Sequence, residues 1–439
     1  METPLYTHLT HYHQKNRVSF AMPGHKNGRG LPDGLIDCDV TELPATEDLH
    51  APGEVLRRSQ QLLQKLYHAD QSYILTGGST AGIQSLLAAT LKPGDLLLSF
   101  PDCHMSVINT CALLGVRLKF LPVLYDDSGH CTGFELDEKH LQGVSAVIAV
   151  SPDYYGRSKD IASLAALCHQ HDIPLLIDQA HGAHYIASEH FPTPATLLGA
   201  DGTVMSAHKT LDALTGAAYL HINGNKIDKF RLQRALAMVQ SSSPSYVIAA
   251  SAETAAMTLD SNAWEKTICR CEQVKHRVPL AAMENDDPTR MVFFTEGITG
   301  FEAEQHLADA FQIDIEMADS VSIVLIATPS NTEEDFTRLE KALQSLQGGK
   351  TTPASICPCP PLESFSPSIG FFSESEMVSL KNAVGRIAAD TVTAYPPGIP
   401  ILCCGAPITA QMIESVKELL QKGAKLTGLT EEHHIQVIQ

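Results

Sequence analysis

The chain has 439 residues, more than one hydrophobic core usually spans, so two or three domains are expected. Its 31 Lys and Arg against 50 Asp and Glu give a formal net charge of −19, and no Lys/Arg run offsets it, which excludes a general binder of nucleic acid or anionic membrane but suits a cationic substrate. With 44% hydrophobic and 18% charged residues the chain is globular rather than disordered; it shows neither a signal-peptide core nor a run of roughly 18–20 apolar residues that would span a bilayer, so a cytoplasmic location is expected.

Residues 1–50 read as an irregular N-terminal arm rich in His, Gly and Pro, containing MPGHKNGRG and TELPATEDLHAPG. From Glu54 the pattern becomes regular. Helices are expected over Glu54–Tyr67, Ser79–Thr90 and His104–Leu114, with a short strand in KPGDLLLSF and another over Arg117–Leu124. VSAVIAVS (144–151) is a continuous apolar run, the mark of a strand buried on both faces, IPLLID (173–178) reads as another buried strand, and Ser158–His171 between them reads as a helix. DGTVMSA and GAAYLHI add two strands, then Asn225–Val239 and Tyr246–Asp260 two helices. This alternation implies an α/β large domain over 51–265 around a mostly parallel sheet, with ligands bound beyond the C-terminal strand ends.

MVFFT, FEAEQHLADAFQI, SVSIVLIAT and NTEEDFTRLEKALQSL then read as strand, helix, strand, helix, a small α/β domain over 266–350. A Pro/Ser-rich connector (348–368) leads into a C-terminal segment, 351–439, with a helix in SESEMVSLKNAVG, the turn AYPPGIP and a helix over Ile408–Lys422. The eleven cysteines show no disulfide-framework spacing, and CPCP and CC lack the paired spacing of structural zinc, so reduced thiols and no metal are expected.

Four pieces carry chemistry. Lys209, in SAHKT directly after a strand, is either a surface lysine at a turn or a buried amine whose pKa falls with desolvation, able to form a Schiff base. Asp178 ends a buried strand, where a carboxylate caps a helix, ligates a metal or pairs with a buried cation such as a pyridinium nitrogen. Ala180 is small enough to lie under a flat ring, and His181 with His184 suggests a metal only weakly, since no third ligand is evident. Gly77-Gly78-Ser79-Thr80 opens a helix, a cradle for a phosphate or a plain capped turn. His104 follows the next strand, where it would stack on a ring or simply cap a helix. Taken in chain order, a phosphate cradle, a ring stacker in His104, an Asp for the pyridine nitrogen and a Schiff-base lysine are the parts for pyridoxal phosphate (PLP).

The segments MPGHKNGRG, TELPATEDLHAP, TGGSTAGIQSLLAA, SPDYYGRSKDIASLA, LLIDQAHGAHY, GADGTVMSAHKTLDALTGAAYLHI, QSSSPSYVIAAS and AYPPGIPIL resemble the short-form bacterial Orn/Lys/Arg decarboxylases. The resemblance implies a PLP-dependent aminotransferase-like (fold type I) large domain with a smaller C-terminal α/β domain. It implies that Lys209 holds the cofactor, Asp178 pairs with its ring nitrogen and His104 stacks opposite Ala180. Ser79, Thr80 and Ser206 would bind its phosphate with His208 close by, and His181 would sit near its phenolic oxygen or the substrate carboxylate. Lys209, or a histidine (His181 or His208), would return the proton after CO2 leaves. The implied partner is a basic amino-acid substrate, turned over in a homodimer with shared active sites to an amine such as cadaverine, agmatine or putrescine.

Several positions depart from the family pattern: Pro101-Asp102-Cys103 before His104 and Met105 after it, Asp153 where a carboxylate would lie near the cofactor edge, Ala252-Glu253, and Cys404-Gly405-Ala406. They leave open another PLP reaction (transamination or elimination), an unusual decarboxylation substrate, or a non-catalytic binding subunit.

Overall fold

The computed structural model describes residues 2–15, 39–43, 45–125, 131–134, 136–346, 363–394 and 399–439. MPGHK, most of the 348–368 connector and the centre of AYPPGIP lie outside the described residues.

The expected irregular arm opens instead with a helix, α1 (Pro4–Gln14), which buries Leu5, Leu9 and Tyr12. No side chain at its own N-terminus caps it. The buried carboxylate of Glu253 does so, accepting from the N–H groups of Leu5 and Tyr6 at 3.0 Å each. Helix α2 (Glu54–Tyr67) is capped in the same borrowed way: the carboxylate of Glu47 accepts from Val55 and Leu56 N–H at 2.9 Å. The chain then alternates as the apolar runs imply: β1 (Gln71–Leu75), α3 (Gly78–Thr90), β2 (Leu96–Ser99), α4 (Met105–Leu114), β3 (Arg117–Phe120), β4 (Ala146–Val150), α5 (Ile161–Gln170), β5 (Leu175–Asp178), β6 (Gly202–Ser206) and β7 (Ala218–Ile222). The strand expected over Arg117–Leu124 is broken after Phe120, and Val123–Tyr125 leaves the main sheet to pair with Cys131–Phe134.

The seven strands lie in the order β1-β7-β6-β5-β4-β2-β3. Pairs from β6 through β3 are parallel; β7 is antiparallel to both its neighbours. Both faces are buried. Leu97, Ile148, Leu176, Val204 and Leu220 pack against α3, α4 and α6 (Lys229–Val239) on one side. On the other, Leu98, Val147, Leu175 and Ile177 pack against α5, while Met205 and Tyr219 meet α1, α2 and α7 (Tyr246–Met257).

A long helix, α8 (Ser261–Arg277), missed in the sequence because charged residues crowd it, leads into the second sheet: β8 (Arg290–Phe294), β9 (Met317–Ala318) and β10 (Ser322–Ile326), covered by α9 (Gly300–Phe311) and α10 (Glu333–Ser345). Both α9 and α10 start with a capping box, Thr299 with Glu302 and Thr332 with Asp335. In the C-terminal segment SESEMVSLKNAVG is not one helix. Its first half forms β11 (Ser375–Ser379), and only Leu380–Ala383 turns helical. A three-strand sheet follows from β12 (Val392–Ala394), β13 (Ile399–Leu402) and β14 (Leu426–Thr427), beside α11 (Ala410–Gln421), and β15 (His434–Ile438) pairs with β11. Phe365 exchanges two 2.9 Å backbone hydrogen bonds with Leu118, tying this segment to the outer strand of the main sheet. No helix among the described residues is long and apolar enough to cross a membrane.

Candidate active site

The parallel register brings the C-terminal ends of the strands to one edge. Val150 pairs with Asp178, Asp178 with Val204, and Ser206 with Ala218, which also faces Leu75. The segments following them line a cavity of about 460 Å³ that includes Ser79, Thr80, His104, Asp178, Ala180, His181, His208 and Lys209. Of the expected cofactor residues, Ser206 alone is absent from its wall. It is fully buried on β6, with its hydroxyl unpartnered among the described residues.

Helix α3 points its N-terminus into this cavity without a capping side chain. The loop before it is set by glycine. Gly78 has φ +72°, and its N–H donates to Gly216 O at 2.8 Å. Gly216 has φ +93°, and a Cβ there would stand 3.1 Å from Thr76 O. Free amide donors, two hydroxyls and a helix N-terminus form an anion cradle.

Asp178 is buried, and its Oδ1 accepts from Ala180 N–H at 3.1 Å. Burial pushes its carboxyl above the usual range, opposed by the nearby His104 and Lys209. A cation placed against it would relieve that cost. His104 caps α4: its Nδ1 accepts from Ser106 N–H at 3.1 Å. Burial lowers its pKa, so the ring is an uncharged flat surface on the cavity wall. His208 is oriented by Ala217 O, 3.0 Å from its Nδ1.

The Lys209 amine lies 3.0 Å from His181 Nε2 and 5.8 Å from the centre of the Tyr154 ring. Burial lowers its pKa; Asp178 and Glu316 oppose the shift and Arg290 adds to it. The His181 imidazole is held well below its usual range by burial and by the neighbouring Lys209 and Arg290. Its Nδ1 faces Arg290 Nη2 at 3.2 Å. His184 points elsewhere: it stacks on Trp264 at 4.9 Å, with Nε2 3.2 Å from Asp287 Oδ2. The two histidines therefore diverge, and no group of three or more potential metal ligands exists among the described residues.

The departing positions have structural partners. Asp153 does not present its carboxylate to the cavity, as its place in the sequence suggests. It closes a turn instead, its Oδ1 accepting from Tyr155 and Arg157 N–H at 2.9 Å each. Asp102 lines the cavity and pairs with Lys159 at 2.6 Å. Glu253 caps α1, and Ala406 is buried.

A second cavity of about 460 Å³ shares Lys209 and Glu316 with the first; Asp314, Asp335, Arg338 and apolar Leu325, Phe336 and Leu339 also line it. Sequence reasoning missed Tyr154, Glu316 and Arg290. Nothing local marks them, because they reach Lys209 only through tertiary packing.

The residues present fit PLP on two observations: the uncapped N-terminus of α3 between glycines with open space at Gly78, and a buried carboxylate, Asp178, whose pKa burial raises in spite of His104 and Lys209 nearby.

Comparison with known proteins agrees. A family model described as Orn/Lys/Arg decarboxylase, major domain, matches residues 3–287, and one described as Orn/Lys/Arg decarboxylase, C-terminal domain, matches residues 371–437. The arginine decarboxylase of Bacillus subtilis (strain 168) is 28% identical over 480 residues, covering 100% of this chain and 98% of that protein. The crystal structure of the Francisella novicida lysine decarboxylase LdcF superposes with a TM-score of 0.85 at 17% identity, covering 100% of this chain and 81% of that one. An alanine–glyoxylate aminotransferase from Nostoc sp. shares the fold more distantly, with a TM-score of 0.53 at 17% identity over 66% of this chain and 86% of that one. The chain belongs to the Orn/Lys/Arg decarboxylase family, enzymes that depend on PLP and are built on the aminotransferase fold.

Proposed function

We propose that the protein decarboxylates a basic amino acid, arginine, lysine or ornithine, to the corresponding amine and CO2. The observation that carries this reading is the position of Lys209 at the meeting of the two cavities. One suits a flat, phosphorylated cofactor. The other is bordered by Glu316, Asp314 and Asp335, carboxylates that suit the cationic end of such a substrate. Its apolar wall of Leu325, Phe336 and Leu339 suits the methylene chain. The naming of the Bacillus subtilis relative as an arginine decarboxylase favours arginine among the three.

In this reading PLP, when bound, supplies an electron sink for the charge left at Cα as CO2 departs. The α3 N-terminus, Ser79 and Thr80 would hold its phosphate, while Ser206, buried behind the cavity wall, would reach it only if the wall rearranged. Asp178 would pair with the ring nitrogen and favour its protonated form, and His104 and Ala180 would flank the ring. Lys209 is the amine that holds the cofactor between turnovers. Nζ of Lys209 or Nε2 of His181 delivers the proton to Cα. Burial of Asp178 and His181 strengthens the interactions they make. The reading includes a homodimer with shared sites.

The test is CO2 release from arginine, lysine, ornithine and the other common amino acids by the purified protein supplied with PLP. Release from a single basic amino acid is expected. Lys209→Ala is expected to lose both release and the visible absorption of the bound cofactor. A Lys209-dependent absorption band with no CO2 from any basic amino acid would move the reading to another PLP reaction.

A further inference from the structure

Arg290 opens β8 in the second sheet, yet its fully buried side chain ends beside His181, across the imidazole from Lys209. Its position is set by the loop before it. The N–H groups of Asp286 and Asp287 both donate to Gly156 O at 3.0 Å. Asn285 Nδ2 donates to Tyr155 O at 2.7 Å and to Arg290 O at 2.8 Å. Gly156 has φ +85°, and a Cβ there would stand 2.9 Å from Arg290 Cβ. The guanidinium donates from Nη1 to Tyr154 O at 3.3 Å and from Nη2 to His181 Nδ1 at 3.2 Å.

We propose that Arg290 is a positioning residue that locks His181 in its Nε2–H tautomer and so turns a hydrogen-bond donor, not an acceptor, toward the Lys209 amine. The proposal rests on the reading of Lys209 as the cofactor-binding amine. A guanidinium has donors only and stays charged in proteins, so His181 Nδ1 must accept. A neutral imidazole with a bare Nδ1 carries its hydrogen on Nε2. That hydrogen faces Lys209 Nζ at 3.0 Å. An ammonium has no lone pair to receive it, so this bond exists only with the free amine, the form that attacks an aldehyde. The groups facing the pair are balanced in opposite directions: Asp178 and Glu316 favour the ammonium, while Arg290 and burial oppose it. His104, His184 and Tyr154, whose ring centre lies 4.8 Å from that of His181, are further titratable neighbours of His181.

The test uses the full-length protein without PLP. Selective ¹⁵N-histidine labelling, with His181→Asn to assign the signal, is expected to show His181 protonated at Nε2 and bare at Nδ1. The rate at which an amine-directed arylating reagent modifies Lys209, followed by peptide mass spectrometry across pH, is expected to give a midpoint below that of exposed lysines. Arg290→Gln is expected to raise that midpoint by about one unit or more, roughly tenfold slower labelling at neutral pH, and Arg290→Lys to restore much of it. An Nδ1–H tautomer in the wild type overturns the proposal, as does an unchanged midpoint in folded Arg290→Gln. Should Arg290→Gln fail to fold, the wild-type tautomer decides alone. Neither readout uses CO2, so a protein with this tautomer and no decarboxylation would keep the inference and lose the proposed function.

Discussion

The carboxylate of Asp287 lies 3.2 Å from the His184 imidazole, with both side chains 1% exposed. Asp287 precedes the second sheet and His184 follows β5 of the first, so the pair is one of the buried contacts that join the two sheets near Arg290. Burial alone would raise the Asp287 carboxyl; His184, Arg290 and the Thr289 hydroxyl outweigh it and lower the pKa from 3.8 to about 2. A depressed carboxyl stabilises the folded state above its unfolded pKa, and that contribution disappears as pH falls through the folded value. Asp287 therefore contributes on the order of 2 kcal/mol at neutral pH, lost between about pH 4 and pH 2. Asp287→Asn is expected to lower the urea midpoint at pH 7 and to flatten the acid limb of the stability profile. Parallel acid limbs for the two proteins would show that the pair does not act this way.

Glu253 provides the next expectation. Its two oxygens satisfy two first-turn donors of α1 that have no cap of their own. Glu253→Ala is expected to cost about 1–3 kcal/mol and to speed hydrogen exchange at the start of α1. Glu253→Gln, with one acceptor oxygen, is expected to fall between.

Gly53 is tied to Glu47. A Cβ at Gly53 would stand 2.4 Å from Glu47 Cδ, the carboxylate that caps α2. Gly53→Ala is therefore expected to dislodge a cap from a distance, at about 1–2 kcal/mol, measurable by thermal unfolding. Ala at exposed Gly94 is the contrasting case: nothing stands within 4 Å of its Cβ, and the cost there comes from its φ of +85° alone.

Glu316 borders both cavities and faces Lys209. Under the proposed function, Glu316→Gln is expected to reduce kcat/KM for the basic substrate roughly 10–100-fold, mainly through KM, by removing one charged hydrogen-bond acceptor. Steady-state kinetics with the substrate identified by CO2 release checks this. A fall in kcat at unchanged KM would place Glu316 in the chemistry rather than in substrate capture.

Much of the large sheet was legible because residues 146–150 and 175–177 are unbroken apolar runs, as a strand covered on both faces requires. The group around Lys209 was legible for a related reason: Asp178, Ser206 and His104 each end or follow a strand, and a parallel register carries all such ends to one edge. Residues 4–14 were read as irregular because PLYTHLTHYHQ has weak helix formers, and the cap that compensates comes from Glu253, far along the chain. Residues 375–379 looked helical by local pattern but pair with 434–438, and a partner so distant leaves no local mark. Arg290 was invisible for the same reason, since its placement depends on the loop before it docking on residues 154–156.

Phe365 gives the last consequence. By bonding Leu118 on both sides of its peptide, it converts the exposed margin of β3 into an occupied one, and its ring rests 5.7 Å from that of Phe120. A sheet margin left open is a template on which other chains add strands. Occupying that margin at Leu118, the C-terminal segment is expected to oppose self-association of the large sheet. A protein shortened before residue 363 is expected to keep Lys209 in place yet accumulate as aggregates, which light scattering would show.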